Sequence, residues 1–199
     1  LIRLRTDYID LFYIHFPDEH THKDEAVGAL KKLKDEGKIR AIGVSNFSME
    51  QLKEANKDGY VDVIQSEYNL LKRQAEDELL PYAKEHSISF VPYFPLASGL
   101  LTGKYTKNSP ITDGRSRNPL FQGAAFEDNL AKVEKLREIA TAKEAEVAHL
   151  VLAWYLKQET IDAVIPGAKQ PEQVLQNIKA LNIHLTVEEC AQISGIFKR

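Results

Sequence analysis

The alternation of strand and helix along these 199 residues predicts an α/β fold, and three observations narrow it to a (β/α)8 barrel. Five apolar stretches of strand length alternate with amphipathic helices, which calls for parallel strands, because parallel neighbours are joined by crossover helices. The strands run out into polar or aromatic residues, namely His15, Ser45, Asn46, Gln65, Tyr93 and Lys169, at the end where a barrel gathers its chemistry. No G-x-G-x-x-G follows the first strand, as it usually does in an open dinucleotide-binding sheet. A full barrel has eight strands in about 250 residues, so we expect one domain over 1–199 with about five of the eight strands and two unpaired sheet edges.

The first strand is Asp10-Leu11-Phe12-Tyr13-Ile14-His15-Phe16-Pro17, an apolar run stopped by proline and read as buried on both faces. His15, which alone would pass for a satisfied core histidine, sits where that strand opens into a loop. Thr21 with Asp24 predicts a capped helix that carries Val27, Leu30 and Leu33 on one face and ends at Gly37. The strand 39–44 ends in Ser45-Asn46, and Ser48 with Gln51 forms a second capping box before Leu52 and Ala55. Asp62-Val63-Ile64 is a strand ending in Gln65, helix 74–86 turns Leu79, Leu80 and Ala83 inward, and strand 88–93 ends at Tyr93.

Over 95–125 the pattern stops for about thirty residues rich in Gly, Pro, Ser and Asn, far above the usual connection of about 4–6. Such a segment is expected to be a lid or a binding loop. Helices resume at 127–142 and 146–157, the second with Val147, Leu150, Val151 and Trp154 at helical spacing. A last strand, 162–165, leads into Pro166-Gly167-Ala168-Lys169; Pro171 opens helix 171–181, and Thr186 with Glu189 caps the final helix.

A net charge of −3 gives no general pull toward nucleic acid or an anionic membrane, and no apolar stretch approaches the ~20 residues that span a bilayer. A lone Cys190 in a helical pattern fits a reducing compartment and a packed thiol, so a cytoplasmic location is expected. The single methionine is Met49, and residue 1 is not expected to be a natural start.

Three stretches taken together resemble the aldo-keto reductases. They are Leu4-Arg5-Thr6-Asp7-Tyr8-Ile9-Asp10-Leu11-Phe12-Tyr13-Ile14-His15, then Gly37-Lys38-Ile39-Arg40-Ala41-Ile42-Gly43-Val44-Ser45-Asn46-Phe47, then Ile165-Pro166-Gly167 followed by Gln176-Asn177. Tyr93-Phe94-Pro95-Leu96-Ala97-Ser98-Gly99-Leu100-Leu101-Thr102-Gly103-Lys104-Tyr105 is most similar to the bacterial general-stress and inositol-locus members. The resemblance implies a (β/α)8 barrel that holds NADPH across its strand ends and reduces an aldehyde or ketone by hydride transfer from nicotinamide C4.

It also implies roles. His15 would orient the carbonyl oxygen; Ser45, Asn46 and Gln65 would hold the carboxamide, whose two-sided hydrogen bonding their groups suit; Tyr93 would stack on the nicotinamide. Leu96, Ser98, Gly99, Leu101 and Lys104 would clasp the pyrophosphate, assisted by Arg115 and Arg117, with Gly167, Lys169, Gln173 and Asn177 meeting the adenosine half. Gly99-x-x-x-Gly103-Lys104 is not a P-loop, having one residue too few between its glycines and Tyr105 in the magnesium-binding place. Gln173 stands where an arginine is common, so Lys169 would take over the 2′-phosphate and NADH stays open as cofactor.

The family's proton donor is a tyrosine tuned by a lysine and an aspartate from the first three strands, which would precede residue 1. The chain as written is therefore expected to carry the cofactor half of the site and to be inactive alone. A non-catalytic nicotinamide-binding module is the alternative, and the open sheet edges lead us to expect self-association or aggregation of an isolated chain. A metal site from His15, His20 and His22 is weighed and set aside, since no carboxylate or cysteine stands at a recognisable ligand spacing.

Overall fold

Four of the five expected strands form, and a computed structural model describing residues 1–198 pairs them in parallel in the order β1-β2-β3-β4. They are β1 (Ile9–Ile14), β2 (Ile39–Ser45), β3 (Val63–Glu67) and β4 (Ser89–Tyr93). The chain divides into two units: Leu1–Tyr68, Arg73–Tyr93 and Thr160–Ala163 make the first; Asn69–Lys72, Phe94–Glu159 and the described residues from Val164 onward make the second.

In the first unit, side chains alternate across the sheet. Ile42 and Val44 are fully buried on one face of β2, which leaves Gly43 and Ser45 to the other. Register sets Tyr13 opposite Gly43, Ser45 opposite Gln65 and Glu67 opposite Tyr93. The helices are α1 (Lys23–Asp35), α2 (Met49–Ala55) and α3 (Leu79–Glu85); α1 packs on α2 and β2, and α3 on β4. The Ser48–Gln51 capping box forms as expected, with both reciprocal bonds present.

Three expectations need correction here. Thr21 does not cap α1: the N-cap is His22, and the Glu54 carboxylate of α2 accepts from Lys23 N at 2.9 Å, so the cap comes from a segment distant in sequence. The helix expected over 74–86 splits into a 3-10 turn, Gln74–Glu76, and α3. Glu76 is held by Arg73 (2.7 and 2.9 Å) and by the Tyr68 hydroxyl (2.6 Å), which fixes that turn apart from the helix. The strand expected at 162–165 reduces to a single parallel bridge between Ile161 and Phe90, with Phe90 N donating to Thr160 O at 3.1 Å. Asp162 and Ala163 are exposed and Pro166 brings no N–H, so no ladder continues past that bridge.

The second unit is built on α5 (Val147–Tyr155), buried nearly all round as a central helix must be. Trp154 donates its indole N–H to Ser194 Oγ at 3.0 Å, and the Tyr155 hydroxyl donates to Pro95 O at 3.1 Å. Around α5 pack α4 (Gly123–Ala142), α6 (Pro171–Ile178) and the 3-10 turns Ala97–Thr102 and Lys179–Asn182. The last helix, α7 (Val187–Ile196), starts at the expected Thr186–Glu189 capping box. The helix expected from 127 begins at Gly123, and that expected over 171–181 is α6 followed by a 3-10 turn. The 95–125 segment is not featureless: it holds 3-10 turns at Ala97–Thr102, Gly114–Arg117 and Pro119–Phe121. No helix of the described residues is long and apolar enough to cross a membrane.

Candidate functional site

In the first unit, one residue ties the ends of all four strands together through its side chain and its backbone N–H. Asn46 follows β2 in a left-handed conformation with φ 62°, a region asparagine tolerates better than most residues. Its Nδ2 donates to the carbonyl of His15, just past β1, at 3.2 Å, and to Ser45 Oγ at 2.9 Å. Its Oδ1 accepts from the Tyr93 hydroxyl at 2.7 Å, and its backbone N donates to Gln65 O at 3.0 Å. Five of the six residues expected at strand ends, all but Lys169, are thus brought together, with Ser45 buried, Gln65 and Tyr93 half-buried and His15 exposed.

Beneath them, Tyr13 lies against Gly43 so closely that a Cβ built on the glycine would stand 2.4 Å from the ring. Burial pushes the Tyr13 phenol up, so it stays a neutral ring near neutrality.

In the second unit, Ala97, Ser98 and Gly99 are successive left-handed residues, and Leu96 O accepts from Gly99 N (2.8 Å) and Leu101 N (3.2 Å). These turn bonds engage two of the amides expected to meet a phosphate, which leaves cationic side chains as the main source of attraction. Lys104 Nζ would lie 3.3 Å and Arg115 Nη1 3.9 Å from a Cβ on Gly99, a small concave corner open only because that residue is glycine. Both cations also lie over the Tyr105 ring, at 5.1 and 5.7 Å from its centre. Arg115 further donates to the Tyr105 hydroxyl and, at 3.4 Å, to Ser98 O.

Sequence reasoning missed Asp113. Its carboxylate accepts from Arg115 Nε at 2.8 Å, pairs with Nη2, and accepts from Arg115 N at 3.0 Å. The hydrogen bonds from Arg115, and more weakly the charge of Lys169, hold the Asp113 carboxyl down at about 2. The signal available was Asp-Gly-Arg in a turn-forming stretch, an Asx-type start to the turn Gly114–Arg117. Arg117 is exposed at the end of that turn.

At α6, Gln173 Oε1 accepts from Lys169 N at 2.5 Å and closes the entry to the helix, while Gly167 and Lys169 are exposed. Asn177 is half-buried in an apolar hollow with Leu152, Val164, Pro166 and Val174.

The three histidines weighed as ligands are not gathered. Among the described residues the group with ligand atoms within 4.8 Å of one another is His22, Asp24 and Glu54. Its atoms have local partners: Glu54 caps α1 and meets His22 Nδ1 at 3.3 Å, and Asp24 meets Lys57 at 3.3 Å.

The family model described as the Aldo/keto reductase family matches residues 1–198. The chain belongs to the aldo/keto reductase family. Aldo-keto reductase YhdN of Bacillus subtilis (strain 168) is 41% identical over 177 residues, covering 87% of this chain and 54% of that protein. The NADH-specific methylglyoxal reductase of Escherichia coli (strain K12) is 38% identical over 189 residues, covering 94% and 58%. The structure of the glycerol dehydrogenase AKR11B4 from Gluconobacter oxydans superposes with a TM-score of 0.91 at 38% identity, covering 98% of this chain and 60% of that one. The fold is therefore that of the aldo-keto reductase (β/α)8 barrel, here with four paired parallel strands. The chain spans under two thirds of the length of these relatives.

Proposed function

We propose that this chain is the nicotinamide-cofactor-binding part of an NADPH-dependent oxidoreductase that reduces an aldehyde or ketone to an alcohol. The observation that carries this reading is the Asn46 hub, which holds His15, Ser45, Gln65 and Tyr93 at one end of a parallel sheet. The residues fit the cofactor by the chemistry of their groups. Ser45 and Gln65 bring a hydroxyl and an amide suited to a carboxamide, and Tyr93, tethered by its hydroxyl, offers a ring of fixed orientation. The corner at Gly99, which a Cβ would fill, offers two cations suited to a diphosphate.

When bound, the reduced nicotinamide supplies a hydride. His15 donates a hydrogen bond to the substrate carbonyl and orients it, and Tyr93 fixes which face of the ring is presented. The proton that completes the alcohol belongs to a tyrosine–lysine–aspartate set that the family resemblance places in strands preceding β1. Residues 1–199 alone are accordingly expected to bind cofactor without turnover, in a cytoplasmic protein whose partner is a small carbonyl compound.

Titration of the purified chain with NADPH, followed by nicotinamide fluorescence, tests this. Saturable binding that Asn46→Ala weakens about tenfold supports it, a loss of the size of one hydrogen bond. Absence of saturable binding to NADPH and NADH alike overturns it.

A further inference from the structure

A lysine carries its charge on a long flexible stem, so a lysine that serves one corner of a site needs its backbone held. Lys104 follows Gly103, which ends the turn Ala97–Thr102 in a left-handed conformation with φ 79°. That junction is braced from inside and from outside. Inside the turn, the Thr102 hydroxyl donates to Gly99 O at 2.8 Å and accepts from Lys104 N at 3.4 Å. From outside, Arg137 of α4, thirty-four residues along the chain, donates from Nη2 to Gly103 O at 2.6 Å. A Cβ on Gly103 would stand 3.0 Å from Val147 Cγ2 and 3.1 Å from Arg137 Nη2, so the junction is seated between α4 and the first residue of α5. Arg137 is oriented in turn by Glu134, one turn earlier on α4, which accepts from its Nε at 3.1 and 3.3 Å. The cofactor reading uses neither Arg137 nor its bond to the loop.

We propose that Arg137 is a positioning residue: by holding the Gly103 carbonyl it fixes Lys104 at the Gly99 corner, and through Lys104 it raises affinity for the diphosphate of a dinucleotide. The inference rests on the dinucleotide reading above. Its physical basis is preorganisation. A cation on a free backbone loses affinity to its own ordering when the ligand arrives, whereas one already held does not. Arg137 acts through the chain and not by its own charge. The cations nearest a Cβ on Gly99 are Lys104 and Arg115, the guanidinium of Arg137 closes on a backbone oxygen, and its charge is paired with Glu134.

The test is a double-mutant cycle on the NADPH dissociation constant at low ionic strength, with Arg137→Ala, Lys104→Ala and the two combined. Arg137→Ala is expected to weaken binding about threefold when Lys104 is present, and by less than about 1.5-fold in the Lys104→Ala background, where no ammonium is left to position. Equal losses in both backgrounds mean a general structural role, or a direct pull of the Arg137 charge on the phosphate, and overturn the proposal. No loss in either background overturns it too, leaving the dinucleotide reading in place. A second measurement needs no ligand: in Arg137→Ala the heteronuclear NOE of the Lys104 amide is expected to fall while the amides of α4 and α5 keep theirs. Unchanged order at Lys104 overturns the proposal even where NADPH binds. If neither NADPH nor NADH binds the unsubstituted protein, the dinucleotide reading fails and the role of Arg137 falls with it.

Discussion

The sheet end of the first unit and the 95–125 loop of the second are held by different physics. At the sheet end, position follows from backbone register: Ser45 faces Gln65 because β2 pairs with β3, and Asn46 bonds to the ends of all four strands through its side-chain amide and backbone N–H. In the loop, position follows from charge and from left-handed turns. Lys104 and Arg115 lie over Tyr105, and Asp113 fastens the arginine. The first arrangement is uncharged and directional, the second ionic. Hydrogen bonds between uncharged groups are little affected by salt, whereas exposed charge pairs are screened within about 10 Å at 0.1 M. The two regions should therefore fail in different ways.

The largest effect is expected from Gly43→Ala, because the added methyl meets the Tyr13 ring at 2.4 Å and forces β1 and β2 apart. A loss of about 1–3 kcal/mol is expected, typical of overpacking, and the urea midpoint measures it; an unchanged midpoint would mean that Tyr13 moves freely. Next comes Asn46→Ala, where dinucleotide affinity falls about tenfold and the loss is the same at 0.05 and 0.5 M salt. Lys104→Ala is smaller and of the opposite character: a several-fold loss at low salt that fades as screening rises. Equal salt dependence for these two variants would erase the distinction between the regions.

The smallest effect sharpens the ionic side alone. The Asp113 carboxyl, ordinarily at 3.8, is expected to titrate at about 2 by NMR and to return toward 3.8 in Arg115→Ala. Because the folded value is the lower one, the pair's contribution is complete above 3.8 and disappears as the pH falls toward 2. A carboxyl that titrates near 3.8 with Arg115 present would show the pair to be open in solution.

What could be read from the residues tracks the same division. β1 to β4 were legible because apolar runs bounded by proline, glycine and polar pairs encode register-bearing strands, and two capping boxes declare themselves by spacing. The cap on α1 was not, since Glu54 lies thirty-one residues from Lys23 and nothing local points to it. The fifth strand misled because 162–165 has strand composition, yet only Ile161 meets Phe90. Ser45, Asn46, Gln65 and Tyr93 were legible as polar strand ends. That one asparagine joins them was not, because the joining depends on a left-handed turn. Asp113 was passed over since an acid two residues before an arginine in a polar loop has the composition of ordinary solvated surface.

The central claim is that the sheet end grips a nicotinamide ring, and it is tested most directly by nuclear Overhauser contacts between bound NADPH and the Tyr93 side chain. The account predicts cross-peaks from the nicotinamide ring protons to the Tyr93 ring, lost in Tyr93→Leu. Saturable NADPH binding with no such contact, and with affinity unchanged in Tyr93→Leu, would contradict it.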